Sequence, residues 1–124
     1  MIINKPTILI YAFKPDEDIL KEICAGIEEE GVLYEIVIKD PLDIQEKVTL
    51  TQARIVDDLS FESAGKSILG SGIGMYQTET ALYLSSLPKG KPVFYMKSPS
   101  LEQARKLGAN AARAVKRMPF KELE

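Results

Sequence analysis

The sequence predicts a single α/β domain over residues 1–124, with a mainly parallel central sheet of about four strands flanked by helices. Three observations carry this reading. The run Thr7, Ile8, Leu9, Ile10, Tyr11, Ala12, Phe13 is continuous, apolar and rich in β-branched residues, the pattern of a strand buried on both faces. The segment after it switches to helical periodicity. Strand-like and helix-like segments then alternate along the chain, which is the order of βαβ units joined by right-handed crossovers. A chain of 124 residues buries roughly two thirds of its unfolded surface, so one core suffices without covalent staples.

Pro6 leads into the first strand, which ends at Phe13. Pro15 and Asp16 open the first helix. Its apolar residues Ile19, Leu20, Ile23, Cys24 and Ile27 follow the i, i+4, i+8 spacing of one buried face, and Gly31 supplies the stop. Leu33 to Ile38 reads as a second strand, and Pro41, Leu42 and Asp43 break it before a helix that starts around Ile44. Periodicity is lost from Asp57 to Lys66, where Asp57, Asp58, Ser60, Ser63 and Gly65 suggest an exposed connection. Ser67 to Met75 interleaves Ile68, Leu69, Ile73 and Met75 with Gly70, Gly72 and Gly74, which suits a strand with a close backbone neighbour on one face. A short helix is expected from Thr78 to Ser86, then a turn through Pro88, Gly90 and Pro92 into a last core strand, Val93 to Met96. Ser98 to Ser100 open a long final helix, with Ser100 and Gln103 as a capping box.

Composition narrows the function. The chain is 45% hydrophobic and 27% charged with a net charge of -2, a balance that gives no general attraction to nucleic acid or anionic lipid. Met1 to Ile10 holds an apolar run too short for a signal sequence or a membrane span, so the expected location is the cytoplasm. Cys24 is alone and forms neither an internal disulfide nor a Cys-x-x-Cys pair. There is no histidine. That removes Ser-His and Cys-His nucleophile pairs and histidine-built zinc sites, and leaves oxygen as the ligand for any bound metal. No catalytic residue and no cofactor-binding residue is assigned.

Four motifs have competing readings. After Gly70 and Gly72 a dinucleotide fingerprint requires glycine where Met75 stands, and no Gly-Lys-Ser/Thr follows, so the glycines fit close backbone packing better than a phosphate loop. Tyr11, Tyr34, Tyr76, Tyr83 and Tyr95 are spread through the elements and read as core or interface residues rather than a stacking platform for a flavin or base. Glu28, Glu29 and Glu30 occupy the last turn of the first helix, where the macrodipole opposes each by about 0.3–1 kcal/mol. They are either a solvated acidic surface or a carboxylate that meets a basic surface or a hard cation such as Mg²⁺ supplied by another chain. The final helix carries Arg105, Lys106, Arg113, Lys116 and Arg117 as a solvated, dipole-matched face. Its other face offers Leu101, Ala104, Leu107, Gly108, Ala111, Ala112 and Val115 for close packing on the sheet, and Gly108 to Asn110 mark a bend or a close neighbour.

The C-terminal run Leu107-Gly-Ala-Asn-Ala-Ala-Arg-Ala-Val-Lys-Arg-Met-Pro-Phe120 resembles the signature of the small subunit of glycerol and diol dehydratase reactivases. Two further matches stand in the right order: Gly26-Ile-Glu-Glu-Glu-Gly-Val32 after the first strand, and Gly72-Ile-Gly-Met75 followed by an apolar helix and Leu87-Pro88. The resemblance implies an α/β fold like that of the medium subunit of the cobalamin-dependent dehydratases. It also implies a non-catalytic role in a chaperone-like complex of two large and two small subunits, which releases damaged cobalamin from inactivated dehydratase by subunit exchange. ATP then belongs to the large subunit, and the isolated chain carries no cofactor of its own. A glutamate at the end of the first helix reaches a divalent metal, Mg²⁺, shared with the large subunit; the matching residue is Glu29. The dehydratase large subunit would be a partner during exchange, and a place within or near a bacterial microcompartment is left open. The alternative from a different class is the medium subunit of a diol or glycerol dehydratase, an enzyme component that helps enclose cobalamin. A flavodoxin-like nucleotide binder is disfavoured by the missing phosphate loop.

Overall fold

The computed structural model describes residues 5–44 and 52–123. The chain runs β1 (Ile8–Pro15), α1 (Glu17–Glu29), β2 (Tyr34–Lys39), the helical turn α2 (Pro41–Ile44), α3 (Gln52–Lys66), β3 (Ser71–Gln77), β4 (Glu79–Leu84), β5 (Phe94–Met96) and α4 (Leu101–Lys116). The helix expected to start around Ile44 falls outside the described residues beyond that position, and Pro41, Leu42 and Asp43, expected as a break, form the helical turn α2 with Ile44.

The sheet has five strands in the order β2-β1-β3-β4-β5 and is mixed, which corrects the expectation of about four mainly parallel strands. β2, β1 and β3 are parallel, whereas β4 and β5 run antiparallel to their neighbours. The helix expected from Thr78 to Ser86 is β4. It forms a hairpin with β3 in which Tyr76 pairs with Glu79, and Gln77 turns the chain at φ 55°. Hairpin turns of this kind usually advertise themselves with Gly or Asn, and neither stands here. The last strand is shorter than expected and half-exposed at the sheet edge rather than in the core.

Successive residues of β1 feed two cores. Ile8, Ile10 and Ala12 join Ile23 and Ile27 of α1, Leu107 and Ala111 of α4, Ile73, Met75 and Leu82. Leu9, Tyr11 and Phe13 join Ile44, Ile55 and Leu59 on the opposite face. That second face is covered by α3, so the stretch from Asp57 to Lys66 is a helix and not an exposed connection. Its inner surface is small and polar because it lies directly on the glycines of β3. A Cβ added at Gly72 would come within 2.1 Å of the Ala64 nitrogen, and one at Gly74 within 2.4 Å of the Ser60 nitrogen. The buried serines are satisfied locally: Ser60 Oγ donates to the Val56 carbonyl at 2.8 Å and Ser63 Oγ to the Ser60 carbonyl at 2.9 Å.

α1 and α4 share the first face and cross closely. A Cβ on Gly108 would stand 2.0 Å from the Ile23 carbonyl oxygen, which explains the glycine in a helix otherwise built of strong formers. Both helices begin as the sequence indicates. Asp16 accepts from the Ile19 amide at 3.0 Å, and Ser100 and Gln103 form the reciprocal capping box. Cys24 is buried on the inner face of α1, as its spacing predicts.

Candidate docking interface

The end of α1 brings the three glutamates to one corner of the molecule and gives each a different neighbour. Glu28 accepts from the Tyr34 hydroxyl at 2.6 Å, and that bond pushes the tyrosine pKa up. Glu30 caps the helix with 10% of its side chain exposed. It accepts from Arg113 Nε at 3.1 Å and from Lys116 Nζ at 2.8 Å, while Lys116 also reaches its backbone carbonyl at 2.7 Å. The hydrogen bond from Lys116 and then that from Arg113 hold its carboxyl below the ordinary carboxylate range. The basic end of α4 thus offsets the unfavourable placement of acid at the end of α1.

Glu29 differs. Its side chain is 53% exposed, and its Oε1 lies 3.4 Å from Arg105 Nε, a cation it shares with Glu22 at 3.3 Å. An exposed pair of this kind is worth about 0–1 kcal/mol. Glu29 is therefore the carboxylate of the three that is both solvent-facing and held only weakly. It can serve as one oxygen ligand to a hard cation; among the described residues there is no cluster of three or more Asp, Glu, Cys or His side chains that could complete a shell.

Beside this corner an open groove of about 500 Å³ separates α1 from β2, with Leu20, Cys24, Ala25 and Ile36 as apolar lining and Glu17, Lys21 and Glu28 among its polar residues. Burial raises the Cys24 thiol pKa, so this cysteine is a packing residue rather than a nucleophile.

Two polar clusters went unassigned in the sequence. Buried Asn110 donates to the Lys121 carbonyl at 2.9 Å and accepts from its amide at 2.6 Å, fastening the segment after α4, whose Phe120 stacks edge-on to Phe94. The asparagine in an alanine-rich helix face was the available signal. Tyr83 donates to Asp57 at 2.5 Å and accepts from the Gly90 amide at 2.7 Å, and Lys89 pairs with both Asp57 and Asp58. This ties the loop after β4 to α3.

Comparison with known proteins decides the family. The model of the dehydratase medium subunit matches residues 5–121. The chain belongs to this family. Similar curated proteins are the propanediol dehydratase-reactivating factor small subunit of Citrobacter freundii, 30% identical over 97% of this chain and 94% of that protein, and the diol dehydratase-reactivating factor small subunit of Klebsiella michiganensis, 31% identical over 97% and 87%. Among solved structures, a glycerol dehydratase reactivase chain superposes with a TM-score of 0.81 at 27% identity, covering 97% of this chain and all of that one. A diol dehydratase-reactivating factor complexed with ADP and Mg²⁺ gives 0.78 at 26%, covering 96% and all of that chain. The family resemblance carried by Leu107 to Phe120 therefore holds over the whole fold. No described helix is long and apolar enough to cross a membrane.

Proposed function

We propose that this chain is the non-catalytic small subunit of an ATP-dependent reactivating factor for a cobalamin-dependent diol or glycerol dehydratase. The observation that carries the reading is its end-to-end similarity to small subunits of reactivating factors, at 30–31% identity over 97% of the chain. In this reading it docks on a large ATPase subunit, in an assembly of two large and two small subunits, and trades places with the dehydratase medium subunit, whose family it shares. Release of damaged cobalamin follows from that exchange. The nucleotide resides on the large subunit.

Glu29 is the residue proposed to reach the partner. Glu30 is committed to Arg113 and Lys116, and Glu28 to Tyr34, which leaves Glu29 with a half-exposed carboxylate at the helix end. One carboxylate added to a Mg²⁺ shell otherwise built by the large subunit suits the preference of that ion for few protein oxygens and near-octahedral geometry. The solution reading is a cytoplasmic protein, within or near the compartment that houses its client.

The medium-subunit reading is kept by the family description itself. Reactivation separates the two. A dehydratase inactivated in the presence of substrate should regain turnover when this chain, a reactivating-factor large subunit, ATP, Mg²⁺ and fresh adenosylcobalamin are added together, and not when the chain is omitted. Failure there, with active enzyme formed when the chain is mixed with dehydratase large and small subunits, would establish the medium-subunit role instead.

A further inference from the structure

Strand β2 lies at the sheet edge, and among the described residues no strand covers its outer side. The Leu33 carbonyl accepts from the Ile8 amide at 2.9 Å. Peptide groups alternate along a strand, so Leu33, Glu35, Val37 and Lys39 turn theirs toward β1, while Tyr34, Ile36 and Ile38 turn theirs outward. Two of these outward residues are apolar and open, with Ile36 40% and Ile38 59% exposed, whereas Tyr34 is half-buried. β2 has six residues, no proline and an unbroken register with β1. Such an edge is a template for another strand.

We propose that this edge pairs with the same edge of a second copy of the chain, antiparallel about a two-fold axis at Val37. Charge selects both the occupant and the register. Hydrogen bonds between two copies require paired residues of equal parity, so the axis must pass through a residue. An axis at Glu35 or at Lys39 sets like charges opposite each other. One at Ile36 sets Glu35 against Val37, and one at Ile38 sets Lys39 against Val37. An axis at Val37 places Glu35 opposite the second copy's Lys39 twice over, and Ile36 opposite the second copy's Ile38, where both residues exchange amide hydrogen bonds. The strand is self-complementary only there. Lys39 is already positioned on the face it shares with Glu35, its ammonium 4.2 Å from the centre of the Tyr11 ring. Cross-strand pairs of opposite charge and of branched aliphatics are the stabilising units of such a ladder.

The test is sedimentation of the full chain over a micromolar to millimolar range. Wild type should show a concentration-dependent dimer. Glu35→Lys and Lys39→Glu should each weaken it by about tenfold, since each replaces two attractive cross-strand pairs with repulsive ones. The double variant E35K/K39E should restore it, and a mixture of the two single variants should form a heterodimer tighter than either homodimer. Circular dichroism checks that each variant is folded. Independently of any variant, hydrogen exchange at the Ile36 and Ile38 amides of wild type should slow with concentration. A monomer throughout, a dimer indifferent to the charge swaps, or exchange rates that ignore concentration would overturn the proposal. If the chain is monomeric and Ile38→Lys weakens capture by a reactivating-factor large subunit, the edge belongs to that partner and self-pairing fails.

Discussion

Arg113 donates from Nε to Glu30 Oε2 across 3.1 Å, joining the last turn of α4 to the end of α1. With Lys116 on the other carboxylate oxygen at 2.8 Å, this carboxylate makes the less exposed of two ionic links, among the described residues, between the two helices that cover one face of the sheet. The other joins Arg105 to Glu22 and Glu29. Replacing Glu30 with Gln should lower stability by about 1 kcal/mol, less than for a fully buried pair because Lys116 is reached by solvent. The pH dependence has a definite sign. The Glu30 carboxyl lies below its ordinary value of 4.5 in the folded chain, so its contribution is complete above that value and is lost as pH falls through the lower folded pKa. Urea titrations should show the gap between wild type and Glu30→Gln closing as pH falls below 4.5.

Gly74→Ala should be among the most damaging single-methyl additions in the chain. The new Cβ would stand 2.4 Å from the Ser60 nitrogen and 2.7 Å from the Val56 carbonyl oxygen, both backbone atoms of α3 that cannot rotate away. Overpacking of this kind costs about 1–3 kcal/mol or more, and thermal unfolding should report it. Gly65→Ala, exposed in α3 with nothing within 4 Å, is the control and should be neutral or stabilising by up to about 1 kcal/mol.

Tyr83→Phe removes a hydroxyl that donates to Asp57 and accepts from the Gly90 amide. Stability should fall by about 1–3 kcal/mol. Faster amide exchange at Gly90, beyond that of β3 and β4, would show the loop after β4 coming loose from α3. A uniform change across all three would contradict the clasp.

The Cys24 thiol, raised by burial, should react with a disulfide reagent about tenfold or more slowly than a free thiol at the same pH. Denaturant should bring the rate to that of the free thiol. A fast native rate would mean that the groove beside α1 opens to solvent and exposes the sulfur.

The legible parts of the fold were those whose periodicity came from large side chains. β1, α1 and α4 announced themselves through Ile8 to Phe13, Ile19 to Ile27 and the Ser100–Gln103 box. α3 stayed hidden because its buried face is made of Ser60, Ser63 and Ala64, small enough to lie on Gly72 and Gly74, and no apolar stripe results. β4 was hidden because it is buried on both faces and entered by a Gln77 turn. Reading β4 as a helix turned a mixed five-stranded sheet into a mainly parallel one of about four strands. At the candidate site the cluster Glu28 to Glu30 was legible, but the division of labour was not. It depends on where Arg105, Arg113, Lys116 and Tyr34 lie in space, which the sequence does not show.

The metal-dependent contact proposed for Glu29 is measured by calorimetric titration of the chain into a reactivating-factor large subunit. With Mg²⁺ present, wild type should bind stoichiometrically, and Glu29→Gln should lose about 2–5 kcal/mol of association while folding stability stays within about 1 kcal/mol. Glu28→Gln should bind nearly as wild type, and removal of Mg²⁺ should weaken wild type far more than Glu29→Gln. Absence of binding by wild type, or equal affinities for the Glu28 and Glu29 variants with no response to Mg²⁺, would return Glu29 to a solvated acidic surface.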